Sequence, residues 1–504
     1  MPINAQSLQL GPWRTVRYDI PSEECGPDEL SDMQNTRIGT AGQVESRPGT
    51  LSYKSEAALS GTPALTLAAQ FNSNATTSHV VIVAGTAIYH YSSGDWAAIT
   101  GSTTITSGND NTWEWVNADG TFVMTNGVDT DAIKWTGSGN ASALDDDARF
   151  TKGRHIAWFD NRLWIGNVNG ATGQLWHSDI ADIETWGATS FINFGGTIRG
   201  LMPTQNALTV HTTDGIYTVI PTGNAVNPFS TNQRTGSNLS APLAAEDGRS
   251  IVALPNDFQV MVLRDGIYEW TGGAEINKIS FELDGGYWPS INKSRLFQSF
   301  AGHFPQENEV WFALPYGTSQ VNMNHIMVWN RKTRGWHGPY EGWERNCFAL
   351  VDDVPHLGDF GGILWDHDTE NTDNVTTAID AWFTTGAPPP VGPDVRVRWL
   401  HARHYYDGRG NFNVTASQYG VELVGVSESV SMDGTGFTLA ADTLGVGVLG
   451  PVTQLSQDVP LTGYGPTSRL KISQNAIDQS FLYRKIVARF KALGRFGKPK
   501  PVDT

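Results

Sequence analysis

Short motifs that join an aliphatic residue to Tyr or Trp recur through the middle of this chain at a nearly regular spacing. Their starts are 45, 42, 41, 51, 60 and 36 residues apart, an average of about 46, and the blades of β-propellers repeat every roughly 40–50 residues. The copies are Ile88–Tyr89, Ile133–Trp135, Leu175–Trp176, Ile216–Tyr217, Ile267–Tyr268, Met327–Trp329 and Ile363–Trp365. A period sustained from residue 88 to residue 365 indicates a repeat architecture.

Two of the repeats contain a hairpin pattern. Asn206–Tyr217 and Asn256–Tyr268 each place Asp-Gly between two runs in which apolar residues alternate, and this pattern is typical of a β-hairpin. We expect Gly215 and Gly266 to form structural turns with positive φ. Another apolar strand precedes each hairpin strand, so the repeating unit is three or four short antiparallel strands.

Such a unit cannot bury both faces of its sheet alone, and radial stacking of neighbouring sheets protects most sheet edges. The sequence therefore predicts an all-β fold with a β-propeller of six to eight blades over residues 63–374, closed by strand exchange between its ends. An irregular set of β-sandwiches is the alternative. Residues 1–62 are predicted to be an N-terminal segment of short irregular elements that joins the propeller.

The pattern changes after Asn374. The breaker cluster Gly386–Pro393 separates the strand-like runs Ala378–Thr384 and Val395–Tyr406. A smaller C-terminal β domain, with a sandwich as its simplest packing, is predicted for residues 375–504. Residues 417–466 are rich in Gly, Ser and Thr, and we expect them to form a long insertion.

Composition and charge exclude several classes of protein. Hydrophobic residues make up 39% of the 504-residue chain and Gly adds 54 residues, so the chain is not globally disordered. The 34 basic and 51 acidic residues give a net charge of −17, whereas a general nucleic-acid binder is basic. Cys25 and Cys347 are too few and too far apart for a disulfide framework or a zinc site. Without an apolar stretch of the required length, we expect neither a signal peptide nor a membrane span.

Motifs for chemistry are weak. Gly445–Gly450 matches GxGxxG, but Pro451 follows at once and no helical pattern opens there. The signatures of P-loops, zinc proteases and serine hydrolases, GxxxxGK[ST], HExxH and GxSxG, are missing. These absences weigh only modestly against an enzyme.

Two patterns resemble metal sites on first inspection. His401 and His404 form HxxH, but an offset of three along a strand places the two rings on opposite faces. The oxygens of Asp366–Asp373 alternate as in a calcium loop, yet Asn371 stands where that loop needs Gly. We interpret the second pattern as a solvated turn and predict no metal.

The C-terminal end contradicts the overall sign of the charge. Leu482, Ile486 and Phe490 fit helical spacing and also one face of a strand, and we predict a final strand with a basic tail. The tail is either a solvated end or a contact with an acidic partner subunit or DNA. Its basic residues, with no acid before Asp503, are Arg484, Lys485, Arg489, Lys491, Arg495, Lys498 and Lys500.

One segment carries a family resemblance. Asn35–Gly49, with its Asn, its glycines and the closing turn Arg47-Pro48-Gly49, resembles the start of the tail hub or nozzle proteins of short-tailed bacteriophages. In that family the segment leads into a propeller with Ser-Asp-bearing blade turns, similar to Trp176–Asp179 here, and then into a β domain.

The resemblance implies a structural virion protein, made in the host cytoplasm and placed in the virion tail. Because that family's role is architectural, no catalytic residues carry over, and we expect no enzymatic activity and no cofactor. Six copies would form a ring below the portal and the adaptor and form or close the DNA exit channel during packaging and ejection. Implied partners are the other copies, the adaptor ring and tail fibre or needle proteins, with double-stranded DNA passing through an acidic lumen without sequence-specific binding. The basic C-terminal residues are then candidate contacts to a subunit or the adaptor.

Two other functions fit a propeller. A carbohydrate-active propeller enzyme needs two carboxylates that converge on the substrate, and with 51 acidic residues the sequence does not single out such a pair. A propeller lectin or adhesin is the other alternative.

Overall fold

The fold is built almost entirely from short antiparallel strands. The structure, a computed structural model, describes residues 5–61, 63–73, 77–145, 149–224, 226–235, 248–367, 372–374, 376–407, 412–420, 423–432, 454–461, 463–477 and 480–495. Short 3₁₀ turns are formed by Tyr53–Ser55, Gly248–Ser250, Phe281–Leu283, Trp288–Ser290, Lys293–Gln298 and Pro305–Glu307. No helix in the described ranges has the length and apolar character needed to cross a membrane.

Within the described residues, seven sheets of four strands follow one another along the chain, and we number them blades 1 to 7. The first strands are Leu65–Ser73, Glu114–Ala118, His155–Phe159, Ile198–Pro203, Ile251–Leu254, Phe300–Phe304 and Arg345–Val351. The second strands are Thr77–Ala84, Thr121–Thr125, Arg162–Val168, Leu208–Thr212, Phe258–Leu263, Glu309–Leu314 and Val354–Asp359.

The outer half of each blade completes the sheet. The third strands are Ala87–Ser92, Ile133–Trp135, Ala171–His177, Gly215–Pro221, Gly266–Trp270, His325–Asn330 and Leu364–His367. The fourth strands are Asp95–Ala98, Ser142–Ala143, Phe191–Asn193, Phe229–Gln233, Ile276–Lys278, Gly335–Tyr340 and, in blade 7, Thr50–Ser52. The repeating Tyr and Trp motifs therefore mark third strands.

The blades form a closed ring. Each first strand contacts the first strand of the next blade, and that of blade 7 contacts that of blade 1. Apolar side chains from neighbouring blades pack together, as Phe71 of blade 1 does on Phe122 of blade 2 with ring centroids 5.4 Å apart. The predicted β-propeller is confirmed.

The ring closes through the N-terminal part of the chain. Thr50–Ser52 pairs antiparallel with Leu364–His367, with Ser52 opposite Trp365. The propeller thus begins at residue 50, ahead of the predicted start at residue 63, because the third strand of blade 7 would otherwise expose an unpaired edge.

Two larger sheets form the predicted smaller sandwich. Sheet A comprises Gln6–Leu10, Thr36–Ile38, Val44–Ser46, Val395–Asp407, Gln454–Pro460, Tyr464–Gly465 and Leu482–Arg495. Sheet B comprises Thr15–Val16, Glu29–Gln34, Ala381–Thr385, Phe412–Gly420, Leu423–Met432 and Arg469–Gln474. The sheets face each other across a shared apolar core, where Phe383 and Tyr483 lie with ring centroids 5.6 Å apart.

Two predictions about chain segments differ from the structure. The N-terminal segment is mostly regular, since its first five strands complete sheets A and B, whose C-terminal strands need hydrogen-bonded partners. In the predicted insertion 417–466, Leu423–Met432 and Gln454–Pro460 pair with strands of the two sheets. Gly445–Gly450 lies outside the described residues.

The prediction of positive φ at Gly215 and Gly266 is wrong. Each glycine opens a third strand after a two-residue turn, with Thr212 opposite Gly215, and neither has a left-handed backbone. Position 215 needs glycine because a side chain there would collide with the backbone of a neighbouring segment. A Cβ there would lie 2.7 Å from the carbonyl oxygen of Thr235, whose hydroxyl accepts the backbone N–H of Ile216 at 2.9 Å.

The variant Gly215→Ala is expected to destabilise the protein by about 1–3 kcal/mol, because backbone must move to admit the methyl group. Gly266→Ala should cost less, since its closest contact, 2.4 Å, is with the flexible side chain of Lys278. Gly273→Ala is the control, since a Cβ there meets no atom within 4 Å. Urea unfolding measures the free energy of unfolding of all three variants. Equal stability of the Gly215 and Gly273 variants would show that residue 215 does not lie against the carbonyl of Thr235.

Candidate interaction surface

The basic C-terminal cluster lies on a strand in the middle of sheet A. Leu482–Arg495 pairs with Val395–Asp407 on one side and with Gln6–Leu10 and Val44–Ser46 on the other. The predicted final strand is confirmed. Arg495 ends it, and Lys498 and Lys500 lie outside the described residues.

Alternation along this strand separates apolar from basic side chains. Ile486, Ala488 and Phe490 are buried in the sandwich core, whereas Arg489 and Lys491 are exposed on the opposite face and Lys485 is half-buried there. Arg484 is also exposed, at a register shift of the strand pair.

The neighbouring strand adds basic residues to the same face. Directly opposite residues of antiparallel strands share a face, and Arg398 is opposite Lys491 while Arg403 is opposite Val487. We call this surface, formed by Arg398, His401, Arg403, Tyr405, Asp458, Lys485, Val487, Arg489 and Lys491, the outer face of sheet A. Sequence reasoning did not select Arg398 and Arg403, although the alternation in Val395–Tyr406 is the signal that could have found them.

Basic side chains outnumber acidic ones on the outer face. Asp458 is its one acidic side chain among the described residues, and it accepts two hydrogen bonds of 2.7 Å from Arg403, which lower the pKa of Asp458. Arg398 and Lys491 stand directly opposite each other. Like charges in directly opposite positions destabilise a sheet, so this pair carries a local cost.

The segment that resembles the nozzle family connects the sandwich to the propeller. The side chain of Arg47 is 2% exposed and donates to Asn35 Oδ1 at 2.8 Å and to both carboxylate oxygens of Asp373. Gly49 passes the carbonyl of Thr372 so closely that a Cβ would lie 2.0 Å from its oxygen. Arg47, Pro48 and Gly49 therefore lead the chain from sheet A into the strand that closes the ring.

A second buried arginine joins the sandwich to blade 6. Nε of Arg37 donates to Oε1 of Glu309 at 2.7 Å, and the carboxylate also accepts the indole N–H of Trp311 at 3.0 Å. Burial alone would raise the pKa of Glu309, but the charges of Arg37 and His337 outweigh it and hold the pKa at about 2. Both charges are thus retained inside the contact between the two domains.

Replacing Arg47 with Ala is expected to destabilise the protein by about 3 kcal/mol, because the carboxylate of Asp373 loses its bidentate partner. The matched control is Arg403→Ala, which removes a bidentate arginine–carboxylate pair from an exposed site and should cost about 0–1 kcal/mol. Chemical denaturation measures both. Equal losses would show that Arg47 does not tie the two domains together.

The HxxH pair is divided between the two faces of sheet A, as the strand geometry predicts. His401 is half-buried on the outer face, and His404 is 0% exposed inside the sandwich, where neither ring nitrogen has a hydrogen-bond partner among the described residues. Burial lowers the pKa of His404 to about 4. No group of three or more His, Cys, Asp or Glu residues suited to a metal ion occurs in the described part of the chain.

Stability should therefore fall in acid. Since the folded pKa of His404 is lower than the unfolded value of 6.5, the unfolded chain takes up a proton first, and up to about 3 kcal/mol is lost as the pH falls from about 6.5 to about 4. His404→Leu should flatten this dependence. Urea unfolding at a series of pH values tests this, and identical slopes for His404→Leu and the parent would contradict it.

The ring encloses a central cavity of about 350 Å³. First strands of all seven blades line it, with mostly apolar and aromatic side chains such as Trp113, Trp115 and Phe348. Glu114 is the one carboxylate among its described lining residues, and Nδ1 of His155 lies 2.9 Å from its Oε1. A glycosidase pair of carboxylates is therefore not found among these residues.

Two further sequence motifs are Trp176–Asp179 and the calcium-like pattern Asp366–Asp373. The hydroxyl of Ser178 is buried and accepts the backbone N–H of Leu163 at 3.0 Å, so Trp176–Asp179 leads into a blade turn. Burial raises the pKa of Asp366, which lies 3.8 Å from His356. Residues 368–371 of the calcium-like pattern lie outside the described residues.

Comparison with known proteins finds solved structures that are similar to this chain at low sequence identity and low TM-score. No family model matches the chain, and no curated protein matches it. The β-propeller virginiamycin B lyase from Staphylococcus aureus has 12% identity and a TM-score of 0.41, covering 63% of this chain and 97% of its own.

Two other solved structures are similar to a comparable degree. BamB from Moraxella catarrhalis has 11% identity and a TM-score of 0.37, with 72% of this chain and 96% of its own covered. The computationally designed Ika8 protein has 14% identity and a TM-score of 0.39, with 62% and 98% covered. At such identities the likeness concerns the fold alone.

Proposed function

We propose that this chain is a structural subunit of a bacteriophage tail, a nozzle or hub protein that forms a ring below the portal and adaptor and surrounds the DNA exit path. The observation that carries the proposal is the predominantly basic outer face of sheet A on a chain whose net charge is −17. Such a face is suited to hold an acidic neighbour, either another subunit or the adaptor.

The architecture supports an assembly role. Segment 35–49, which carries the family resemblance, has both ends engaged, with Asn35 donating its backbone N–H to Pro339 of blade 6 and Arg47 pairing with Asp373. The sandwich is thereby held against the propeller by buried polar contacts. A subunit that must present one face to a ring neighbour benefits from such a rigid connection, because a fixed surface loses less freedom on docking.

Charge also suits a protein that surrounds DNA. Acidic side chains that line a passage repel phosphates, so that DNA moves along it without binding tightly. The outer face of sheet A carries a cluster of basic residues, and its charge serves docking between proteins, since complementary charge chiefly speeds and orients association.

The test is the location of the protein and the effect of removing the basic charge. The face variant Arg398→Gln/Arg489→Gln/Lys491→Gln should join phage particles more slowly than the parent, with a difference that shrinks at high salt. The control Lys152→Gln/Arg264→Gln/Lys332→Gln removes three exposed basic residues of the propeller and should behave as the parent. Quantitative mass spectrometry of purified particles measures both.

Two results would overturn the proposal. Equal incorporation of the face variant and the parent at low and high salt would remove the docking role of the outer face. Absence of the protein from particles, together with cleavage or binding of glycans by the monomer, would favour a propeller enzyme or lectin acting through the central cavity.

A further inference from the structure

The outer face of sheet A restricts the symmetry of any contact between copies. In a two-fold symmetric contact the same patch meets itself, and here Arg398, Arg489 and Lys491 of one copy would face those of the other. Like charges opposed in this way repel. The outer face must therefore meet a different patch, and a contact between two different patches produces a ring or a filament when repeated.

The chain carries a complementary acidic patch at one mouth of the propeller. The turns that join first to second strands surround this mouth, because first strands lie closest to the axis. In the described turns, the charged residues are all acidic. They are Asp119, Asp160, Asp257, Glu307, Asp352 and Asp353, and we call this set the acidic rim.

Contacts between blades place these turns side by side. The backbone N–H of Gln205 in blade 4 donates to Oδ1 of Asp257 in blade 5 at 3.2 Å, and Gln70 of blade 1 donates to Oδ1 of Asp352 in blade 7 at 2.8 Å. Asp119, Asp160, Asp257 and Asp353 are exposed and have positive φ, as tight hairpin turns require. Short turns hold the carboxylates in fixed positions around the mouth.

One contact inside the chain already joins a sandwich arginine to this rim. Nη2 of Arg37 lies 2.9 Å from Oε2 of Glu307 in blade 6. The sandwich of each copy thus contacts the blade 6 part of its own rim, while the rim aspartates of blades 2, 3, 5 and 7 are exposed.

We propose that the outer face of sheet A of one copy docks on the acidic rim of a second copy, head to tail. The inference rests on the proposed function, in which copies of the chain assemble into a ring, and it identifies the surfaces through which neighbouring copies contact each other. A second copy is the occupant because the same chain supplies both patches, with exposed charges of opposite sign, and because the two patches are different, as a ring requires.

The salt dependence of self-association follows from the distances between the charges. Copies with a charge of −17 repel one another at low salt, but at about 0.15 M salt the screening length is about 8 Å, so contacting charges still attract while distant ones no longer repel. At 1 M salt the screening length is about 3 Å, so the attraction between contacting charges also weakens. Association should be strongest at intermediate salt.

The decisive experiment is a charge exchange followed by sedimentation. The reversed face, Arg398→Glu/Arg489→Glu/Lys491→Glu, and the reversed rim, Asp119→Lys/Asp160→Lys/Asp257→Lys, should each reduce self-association by about tenfold or more at about 0.15 M salt. An equimolar mixture should restore it, because each reversed patch then meets its complement on the other variant. A mixture that does not associate would overturn the proposal.

A second set of variants covers the case in which Lys strains the rim turns. Asp119→Asn/Asp160→Asn/Asp257→Asn removes the charge with a residue that tolerates positive φ, and it should weaken association. The control Asp131→Asn/Asp214→Asn/Asp265→Asn lies in turns that join second to third strands, at the opposite mouth, and should associate as the parent does. Equal association of the rim variant and the control would overturn the proposal.

Carbodiimide cross-linking identifies the interface directly. Lys485 or Lys491 should become linked to a rim aspartate of another copy.

Binding of duplex DNA that is lost in the face variant, with self-association unchanged, would assign the face to nucleic acid instead. If phage particles contain a ring of the protein without the cross-link, this interface is refuted and the proposed function stands. If the cross-link forms but the protein is absent from particles, the interface stands and the proposed function is refuted.

Discussion

Pairing of Thr50–Ser52 with Leu364–His367 is the contact on which the rest of the structure depends. Without it, blade 7 has three strands and an open edge, and the ring of first strands loses the blade that joins its two ends. The closing strand also determines the path of the chain before it. Because Gly49 passes tightly under Thr372 and Arg47 is bound to Asp373, the preceding strands emerge beside blade 6, where they complete the two sheets of the sandwich.

The sandwich and the propeller share a continuous apolar core. Buried side chains of blades 5 and 6, among them Phe312, Trp329 and Trp336, belong to the same cluster as Trp399 and Tyr483 of sheet A. Buried polar contacts accompany this packing, as between the backbone N–H of Trp336 and the hydroxyl of Thr15 at 3.0 Å. Apolar burial supplies the favourable free energy and the hydrogen bonds fix the relative position. The outer face and the acidic rim therefore keep a constant position relative to each other within the chain.

Separation of charge is the feature that most directly bears on function. This acidic chain carries a cluster of arginines and lysines on one sheet face, with Arg398 opposite Lys491, and their mutual repulsion is a local cost. A surface of opposite sign would relieve that repulsion. Such charges act mainly on the rate and orientation of docking.

The sequence by itself determined the blade period, the all-β class, the final strand and the basic cluster, because each depends on local alternation that every strand must satisfy whatever its neighbours. It also indicated that His401 and His404 lie on opposite faces. Only the tertiary structure decided which strands pair over long separations, such as Ser7 with Arg489 and Ser52 with Trp365. It placed Arg398 beside the C-terminal strand, and it showed that Gly215 is required by the carbonyl of Thr235 and not by its own φ. These features arise from residues far apart in the chain, whose contacts are selected by packing and by the need to pair every sheet edge, and no local pattern contains that information.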